Sequence, residues 1–586
     1  NAKYIHSNLA VYSLRACAGE YRDAVELAEY TINNQKDYIL EELYKRKPDV
    51  LCFSCYIWNI DYVTDIAREY KKLCPSVPIW VGGPEVSYEV EAFLRENPYI
   101  DGVMIGEGED TFRELCGYYA HKRKLSDIAG IAFRKNSTGN STSVNNIGGN
   151  KAGEIVFTSP RPIKNMSEIP FCYDTLDDFS NRIIYYESSR GCPFSCSYCL
   201  SSVDKTLRFR DTEIVKRELK FFIDQKVPQI KFVDRTFNCN HAHAMELWRF
   251  IKANDNGVTN FHFEISADLL NQEELELISD MRPGLIQLEI GVQSTNEVTI
   301  KEIHRTMKLE RLKEVVRLIQ SGNNIHEHLD LIAGLPYEDY DSFGRSFDEI
   351  YELKPNQLQL GFLKVLKGSY MFEHAAEYGI VYHDKPPYEV MSTKWLSFDD
   401  VIKIKRVEEM LEVYYNSGQF EITMKLMECI FDSAFEFFQE LGDFYEANGY
   451  FGMSHSRIRR CEILLEFLAL YLHGCDSDDM ASVGLSGNAG DRDNTDFDEN
   501  AQIYSMIQES LIFDLYYREN CKSRPRWATD IGKFKHMTHA YCKNGKLSHV
   551  EPFHYIFPYK HMRKLDELPK YHKEPVWALF HYDMRD

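Results

Sequence analysis

No stretch of this chain approaches the roughly 18 uninterrupted apolar residues of a membrane span, and no charged-then-apolar leader opens it. The expectation is a cytoplasmic protein with no membrane partner. Positive charge is also short: 68 Lys and Arg face 90 Asp and Glu, a net charge of −22. Such an acidic surface repels polyphosphate and anionic lipid at long range, which excludes coating of nucleic acid by the whole protein. Cysteine is scarce and irregularly spread, 15 in 586 residues, so a disulfide scaffold is excluded. Twelve of the fifteen read as small buried hydrophobes of a reducing cytosol. Cys52 and Cys55, in DVLCFSCYIW, fall on opposite faces of a strand and take the same structural reading. The first residue is Asn1 rather than Met.

What is present is ample. Hydrophobic residues make up 44%, charged residues 27% and aromatics 13%, enough for ordinary cores and too apolar for bulk disorder. The length suggests three or four domains of roughly 150 residues each.

Residues 1–130 alternate helix and strand patterns. NAKYIHSNLAVYSLRACAG reads as helix, VELAEYTI as strand, QKDYILEELYKRK as helix and DVLCFSCYI as buried strand. IDYVTDIAREYKKL, VPIWVGG, SYEVEAFLREN, YIDGVMIG and EDTFRELCGYYAHKR continue the alternation, which predicts a doubly wound, flavodoxin-like parallel sheet. Because such sheets start on a strand, the expectation is that a first strand was lost from the N-terminus. Ligands of these sheets sit outside the carboxyl ends of the strands. The segments there are residues 1–8 (with Tyr4 and His6), Ser54 to Asn59 (with Tyr56), Gly82-Gly83-Pro84-Glu85, and Gly106-Glu107-Gly108. Glycines at strand ends let a large flat ligand approach the backbone.

Residues 131–180 read as a hairpin and linker. KNSTGNSTSVNNIGGNKAG, Lys135 to Gly153, is a long flexible hairpin tip whose Asn136 and Asn140 sequons mean nothing without a secretory context. PRPIKNMSEIPFCYD is a Pro-punctuated linker.

Residues 181–375 carry a second series of strands, RIIYYES, QIKFVD, FHFEIS, LIQLEIG, HLDLIAG and QLQLGFLK, separated by helices. Six β-α units suit a partial, open (β/α)6 barrel of TIM-like design, whose chemistry collects at the C-terminal ends of the strands. After the first of them comes SSRGCPFSCSYCLSS, with Cys192, Cys196 and Cys199 in a C-x3-C-x2-C run. Three thiolates on one loop can wrap a cubane cluster and leave one of four irons open. Structural zinc wants a fourth Cys or His; none follows in the loop, and Cys239 lies on a different one. Tyr198 is placed to pack against a nucleobase.

This cysteine run in a six-unit βα series resembles the radical S-adenosylmethionine superfamily, and the preceding domain, with GGPEVSYE and GEGEDTF, resembles the cobalamin-binding domain of its B12-dependent branch. Together the resemblances cover about residues 1–375. They imply a [4Fe–4S] cluster whose open iron chelates S-adenosylmethionine, one-electron cleavage to methionine and a 5′-deoxyadenosyl radical, and bound cobalamin. Asp234, Arg235, Thr236 and Phe237, in FVDRTFN, occupy the place of the family's amine-binding Gly-Gly-Glu. Glu264, Gln293 and Asp330 resemble residues that hold the methionine or ribose, and Arg305 would pair with the methionine carboxylate. The D-x-H-x-x-G pattern of a histidine cobalt ligand is missing: NAKYIHSN has His6 without that Asp and Gly, so the lower axial position is expected to be filled otherwise or left open.

The resemblance implies an enzyme, a cobalamin-dependent radical methyltransferase acting on an unactivated carbon. The alternatives are radical cyclisation, rearrangement or oxidation without methyl transfer, and a corrinoid-binding sensor or carrier. RNA methylthiolation is disfavoured because no second cysteine triad is present. A reducing partner such as flavodoxin or ferredoxin is implied; the substrate is left as an unknown small or anionic molecule.

Residues 390–586 read as a mostly helical accessory domain, with heptad-like spacing in FDDVIKIKRVEEMLEVYYNSGQFEITMKLM and RRCEILLEFLALYL. HGCDSDDMASVGLSGNAGDRDNTDFDEN is a mobile acidic break. Between Lys522 and Lys573 twelve Lys and Arg face four Asp and Glu. That cationic segment would meet an anionic substrate, a tRNA or the protein's own acidic face.

Overall fold

The computed structural model describes residues 6–135, 154–176, 179, 182–473, 495–519, 521, 524–528, 532, 548–557, 565 and 568–582. Tyr4, the sequons, the hairpin tip beyond Lys135, most of the acidic break and most of the basic C-terminal segment lie outside the described residues. The chain divides into two compact units, residues 1–339 with 361–397, and residues 340–360 with 398–586.

The first unit opens with α1 (Leu9–Cys17), α2 (Lys36–Arg46), β1 (Leu51–Ser54), α3 (Ile60–Leu73), β2 (Ile79–Gly82), α4 (Val90–Glu96), β3 (Gly102–Met104), α5 (Glu109–Tyr119), β4 (Ile131–Arg134) and β5 (Ile155–Phe157). These strands form one sheet in the order β1-β2-β3-β4-β5, parallel from β1 to β3 and antiparallel from β3 to β5. The α/β expectation is met. α3 shows why: Ile60, Val63, Ile66, Ala67 and Tyr70, spaced along one helical face, are the residues it buries. VELAEYTI is a correction, since residues 25–31 form no strand. Glu29 in it instead accepts from Asn8 N at 3.0 Å, from the Tyr12 hydroxyl and from Arg182 Nη1 at 2.6 Å, so the segment is tied through its side chain rather than through a ladder. Cys52 and Cys429 are exposed, against the expectation of burial; Cys52 lies on β1, the edge strand of this sheet.

The second series begins with β6 (Ile184–Tyr186), the short β7 (Ser189–Arg190) and β8 (Arg208–Phe209), and α6 (Thr212–Asp224). There follow β9 (Gln229–Phe232), α7 (His241–Ala253), β10 (Asn260–Ile265), α8 (Gln272–Ser279), β11 (Ile286–Gln293), α9 (Glu297–Glu302), α10 (Leu309–Ser321) and β12 (His326–Ala333). The sheet runs β12-β11-β10-β9-β6, all parallel, and Gly361–Phe362 at its far edge extend it beyond β12. Every expected strand formed. Helix starts are written in the sequence: Asp211 accepts from Glu213 N and Ile214 N to open α6, and Asn271 with Glu274 makes a capping box for α8. β11 alternates strictly, with Ile286, Leu288, Ile290 and Val292 buried and Gln287, Glu289, Gly291 and Gln293 half-buried on the other face.

The second unit contains α11 (Tyr340–Tyr351) and most of β13 (Gln357–Phe362), while α12 (Tyr370–Glu373), β14 (Val381–Tyr382) and β15 (Val390–Ser392) belong to the first. Its helices are α13 (Phe398–Leu411), α14 (Glu421–Ile430), α15 (Ala434–Ala447), α16 (Arg457–His473) and α17 (Thr495–Arg518), followed by an unexpected antiparallel hairpin, β16 (Ser548–Tyr555) with β17 (Tyr571–His581). Buried Asp514 of α17 caps α14, accepting from Ile422 N at 3.0 Å and Thr423 N at 2.9 Å. A π-helical turn, Glu412–Asn416, aims Asn416 at both backbone groups of Leu358, 3.0 Å from its N and 2.7 Å from its O. Among the described residues no helix is long and apolar enough to cross a membrane.

A Cβ at Gly102 of β3 would meet the Trp80 ring at 2.3 Å. Gly102→Val should therefore cost about 1–3 kcal/mol of unfolding free energy, read as a lower urea midpoint at unchanged m-value.

Candidate functional site

The cysteine loop is pinched at its base by β7 and β8, which pair Ser189 with Phe209 and Arg190 with Arg208. Gly191 turns into it at φ +86°, where a Cβ would lie 2.6 Å from Thr206 O, so only glycine fits. Cys192 N donates to Asp204 O at 3.2 Å, Ser197 N to Ile303 O at 2.9 Å and Met371 N to Ser197 O at 2.9 Å, fixing both ends and the middle of the loop. Cys192 and Cys196 are buried and Cys199 half-buried. Among the described residues no three or more His, Cys, Asp or Glu converge on a single metal ion. A cubane presents a separate iron to each thiolate, and three loop sulfurs fit that donor set.

Asp234 at the end of β9 is wholly buried and accepts from Ser188 N at 2.9 Å, Ser188 Oγ at 2.7 Å and Ser189 Oγ at 2.5 Å. Since Ser188 Oγ spends its hydrogen on Asp234, His243 Nε2 at 3.0 Å is the donor to that oxygen. Burial lowers His243 to about 4, which keeps the ring neutral. Burial also raises Asp234, against the hydrogen bonds it accepts. The carboxylate thus anchors the two serines that lead into the cysteine loop rather than facing a ligand. The ring of Phe237 is a second correction: it packs on Phe232, Trp248 and Phe263 in the core. Thr236 is buried with Oγ1 3.9 Å from Cys192 Sγ, and Arg235 is exposed. Only the backbone of this segment remains for an amine.

Inside the barrel, register rows assemble polar side chains. One row joins Tyr185, Lys231, His262, Gln287 and His326; the next joins Glu264, Glu289 and His328; the third pairs Gly291 with Asp330. Glu289 accepts from Lys231 Nζ at 2.8 Å and lies 2.9 Å from His262 Nε2. Burial opposes its charge, but these partners outweigh it and hold the carboxyl at about 2. Burial and the neighbouring Glu289 raise Glu264 to about 7, and burial with both glutamates pushes Asp330 well above the usual carboxylate range. His328 Nε2 stands 3.2 Å from Asp330 Oδ1, and burial lowers His328 to about 4. β11 ends in a bulge between Gly291 and Gln293, with Gln293 at φ +78° and its buried Oε1 without a hydrogen-bond partner. A non-glycine residue strained at a strand end, carrying an unspent acceptor, marks a position shaped for a ligand.

Arg305 Nη1 lies 3.3 Å from the Tyr198 hydroxyl and 3.8 Å from Cys196 Sγ, and Nη2 donates to Gly291 O. Of the residues expected at the barrel rim, Glu264 acts on Asp330 through its charge and Gln293 ends β11, the strand between theirs, while Tyr198 and Arg305 meet at the cysteine loop.

On the first sheet, Gly83 sits at φ +118° with its missing Cβ 2.4 Å from Cys55 O, locking the ends of β1 and β2 together. Gly106, at φ +77°, has open space where its Cβ would be. Gly108 precedes α5, and Pro84 opens a short turn. Asn59 clasps the β1 end, donating to Ser54 O at 2.8 Å and accepting from Tyr56 N at 2.7 Å. Tyr56 stacks on Trp58 at 4.5 Å and 6°, with Trp58 45% exposed. Glu85 takes the Tyr388 hydroxyl and is raised by burial. His6 departs from the expected loop: it bridges to Ile183 beside β6 and stacks on Tyr185 at 5.2 Å, so its ring belongs to the barrel. Glu107 also departs, accepting from Arg208 Nη1 at 2.6 Å and Lys164 N at 3.2 Å. Arg190 completes this joint, with Nη2 2.6 Å from Glu109, Nε 2.9 Å from Glu187 and Nη1 3.5 Å from Glu107. The cysteine loop therefore opens beside the Gly106–Gly108 strand end. Trp58, Arg190, His243 and Tyr388 had escaped sequence reasoning. Trp58 and Arg190 lie inside segments already singled out, Ser54 to Asn59 and SSRGCPFSCSYCLSS, where other residues drew the reading; His243 and Tyr388 carry no local signal.

A parallel-stranded sheet with glycine-rich strand ends, joined to an open barrel bearing a three-cysteine loop, defines the class of the radical S-adenosylmethionine superfamily. The family models agree: a B12 binding domain matches residues 1–116, the Radical SAM superfamily residues 186–350, and a protein family of unknown function, DUF4080, residues 376–585. The chain thus carries a B12 binding domain and a Radical SAM domain, with this third domain behind them. It is 27% identical over 360 residues to the cobalamin-dependent radical SAM methyltransferase TokK of Streptomyces tokunonensis, covering 58% of this chain and 49% of that one. It spans about half the length of the curated relatives it first matches. Its fold is similar to that of TsrM, a radical S-adenosylmethionine methyltransferase from Kitasatospora setae, with TM-score 0.53 and 16% identity over 66% of this chain and 79% of that one. It is also similar to the cobalamin-dependent radical enzyme OxsB, with TM-score 0.53 and 15% identity over 88% of this chain and 78% of that one.

Asp234→Ala should lower the iron bound after anaerobic reconstitution and destabilise the protein by about 1.5–3 kcal/mol, because three donors lose a charged acceptor; wild-type iron content and melting temperature would contradict the anchoring role. Glu264 is raised in the folded state, so its ionisation costs stability as pH rises from the ordinary glutamate value near 4.5 to about 7. Glu264→Gln should match wild type at about pH 4 and exceed it in unfolding free energy above about pH 7; a difference that does not change with pH would refute this.

Proposed function

We propose that the chain is an enzyme that cleaves S-adenosylmethionine reductively at a [4Fe–4S] cluster held by Cys192, Cys196 and Cys199, and that with cobalamin it methylates an unactivated carbon. The observation that carries this reading is the joint at Arg190, which sets the cysteine loop beside the glycine-rich strand ends. When bound, the cluster and S-adenosylmethionine supply one-electron chemistry and a carbon radical, and cobalamin supplies a methyl carrier.

The chain's own residues do the placing. Glu264, Gln293 and Asp330 face the methionine and ribose, and the unspent Oε1 of Gln293 accepts from an ammonium or hydroxyl group. A neutral Glu264 donates a hydrogen bond as an acid would. The backbone of Asp234, Arg235, Thr236 and Phe237 receives the amine, and Tyr198 flanks the nucleobase. Ser54, Tyr56, Gly82, Gly83, Pro84, Glu85, Gly106 and Gly108 line the corrin, where Gly106 leaves the backbone bare and the Tyr56–Trp58 pair offers a flat apolar surface. His6 stacks on Tyr185 of the barrel, so its ring is not counted among the residues that would hold the corrin.

The domains run 1–130 for cobalamin, 131–180 for hairpin and linker, 181–375 for the barrel and 390–586 for the accessory domain, a division the family-model matches support. The protein works in the cytoplasm, takes electrons from a flavodoxin or ferredoxin, and acts on a small or anionic molecule. Methyl transfer is favoured over cyclisation because TokK, at 27% identity, is a methyltransferase.

Anaerobic reconstitution should give four irons and one cobalt per chain, 5′-deoxyadenosine under reduction, and a product carrying the label of deuterated methyl-S-adenosylmethionine. Unlabelled product would favour cyclisation or oxidation; absence of 5′-deoxyadenosine would favour the sensor or carrier reading. Cys192→Ala should abolish the cluster absorbance.

A further inference from the structure

Arg305 stands where a free carboxylate-binding arginine would not. The turn that ends α9 is bound to the cysteine loop, because Ile303 O accepts from Ser197 N at 2.9 Å, and Arg305 N returns to Ile300 O at 3.1 Å. From this turn the guanidinium spans the loop and the barrel. Nη1 reaches Cys196 Sγ at 3.8 Å and the Tyr198 hydroxyl at 3.3 Å; Nη2 is held by Gly291 O; Nε is buried without a hydrogen-bond partner. Gly291 is part of the same device. A Cβ there would lie 2.3 Å from Gln293 Nε2 and 3.5 Å from Arg305 Nη2, and the bulge that follows it turns its carbonyl to the guanidinium.

We propose that Arg305 is a positioning residue that donates to the Cys196 sulfur and raises the reduction potential of the cluster, a role that rests on the cluster reading above. Potentials of iron–sulfur centres are set by net charge and by hydrogen bonds to the ligating sulfurs. A guanidinium is charged at every working pH, and inside a protein its attraction for a sulfur ligand is weakly screened. The one-electron reduced cluster carries one more negative charge than the oxidised one, so the cation favours it. The electron comes from the external reductant, and no proton moves, because Arg305 stays charged in both states.

The test is an electron-paramagnetic-resonance redox titration of the reconstituted full-length protein, first without S-adenosylmethionine, with dithionite and viologen mediators. Arg305→Gln, which keeps donors but removes the charge, should lower the reduced-to-oxidised ratio at fixed ambient potential about tenfold, equivalent to about 59 mV for one electron. Arg305→Lys should retain most of the wild-type ratio. Gly291→Ala, whose Cβ would meet the Gln293 amide at 2.3 Å but the guanidinium only at the ordinary contact distance of 3.5 Å, should leave the ratio near the wild-type value. Iron content and far-ultraviolet dichroism should stay at wild-type values in all three. An unchanged ratio in Arg305→Gln at full iron content overturns the proposal. So does a shift that appears only when S-adenosylmethionine is added, which would make Arg305 a methionine-carboxylate ligand. Loss of iron from both Arg305→Gln and Gly291→Ala would make the residue structural and also overturn it. A wild-type protein that takes up no iron would refute the cluster reading itself, a separate failure.

Discussion

The geometry of the first unit depends on one guanidinium. Arg190 lies two residues before the first cysteine of the loop and meets Glu187, between β6 and β7, and Glu107 and Glu109, from the turn after β3 and the start of α5. Its side chain is 18% exposed and Glu109's only 6%, so the charges are largely removed from water. A buried cation is tolerated only when it is fully paired, and losing a partner of such a pair costs about 3–5 kcal/mol. The joint between sheet and barrel is therefore held in one arrangement, with Arg208 adding a second link to Glu107.

Within the barrel the balance is different. Hydrophobic residues face the helices, and the opposite face of the same strands carries Lys231, His262, Glu264, Glu289, His328 and Asp330. A packed TIM-type barrel fills its centre with branched aliphatics. Here the centre is a set of ionisable groups that divide their charge: Glu289 keeps it through Lys231 and His262, while Glu264 and Asp330 are driven toward the neutral form by burial and by Glu289. Burial thus drives the rim acids toward the neutral form, with the charge of Glu289 adding to it and Lys231 opposing it.

Much of this was legible along the chain. Strand and helix order in the barrel, the cysteine run, and the glycine strand ends all appeared in the sequence because each is a local pattern: period-two or period-3.6 apolar spacing, three sulfurs in eight residues, a turn only glycine can make. Errors came where a residue's partner is distant. VELAEYTI has strand composition, yet Glu29 finds Asn8, Tyr12 and Arg182 and the segment stays outside the sheet. Asp234 and Phe237 sit in the segment singled out for an amine, but Ser188, Ser189 and the aromatic core claim their side chains. His6 lies in a strand-end loop by sequence and against Tyr185 in space.

The amino-acid order alone determined the strand and helix order of the barrel and which chemistry the cysteine loop can support, since backbone periodicity and ligand spacing act over a few residues. Tertiary structure alone decided which polar side chains are spent on one another and which remain for a ligand. Arg305 and Tyr198 lie 107 residues apart in the chain, as Arg190 and Glu109 lie 81 apart. No local pattern specifies such pairs; burial does, because a charge or hydroxyl removed from water must take whatever partner the fold brings within hydrogen-bond reach.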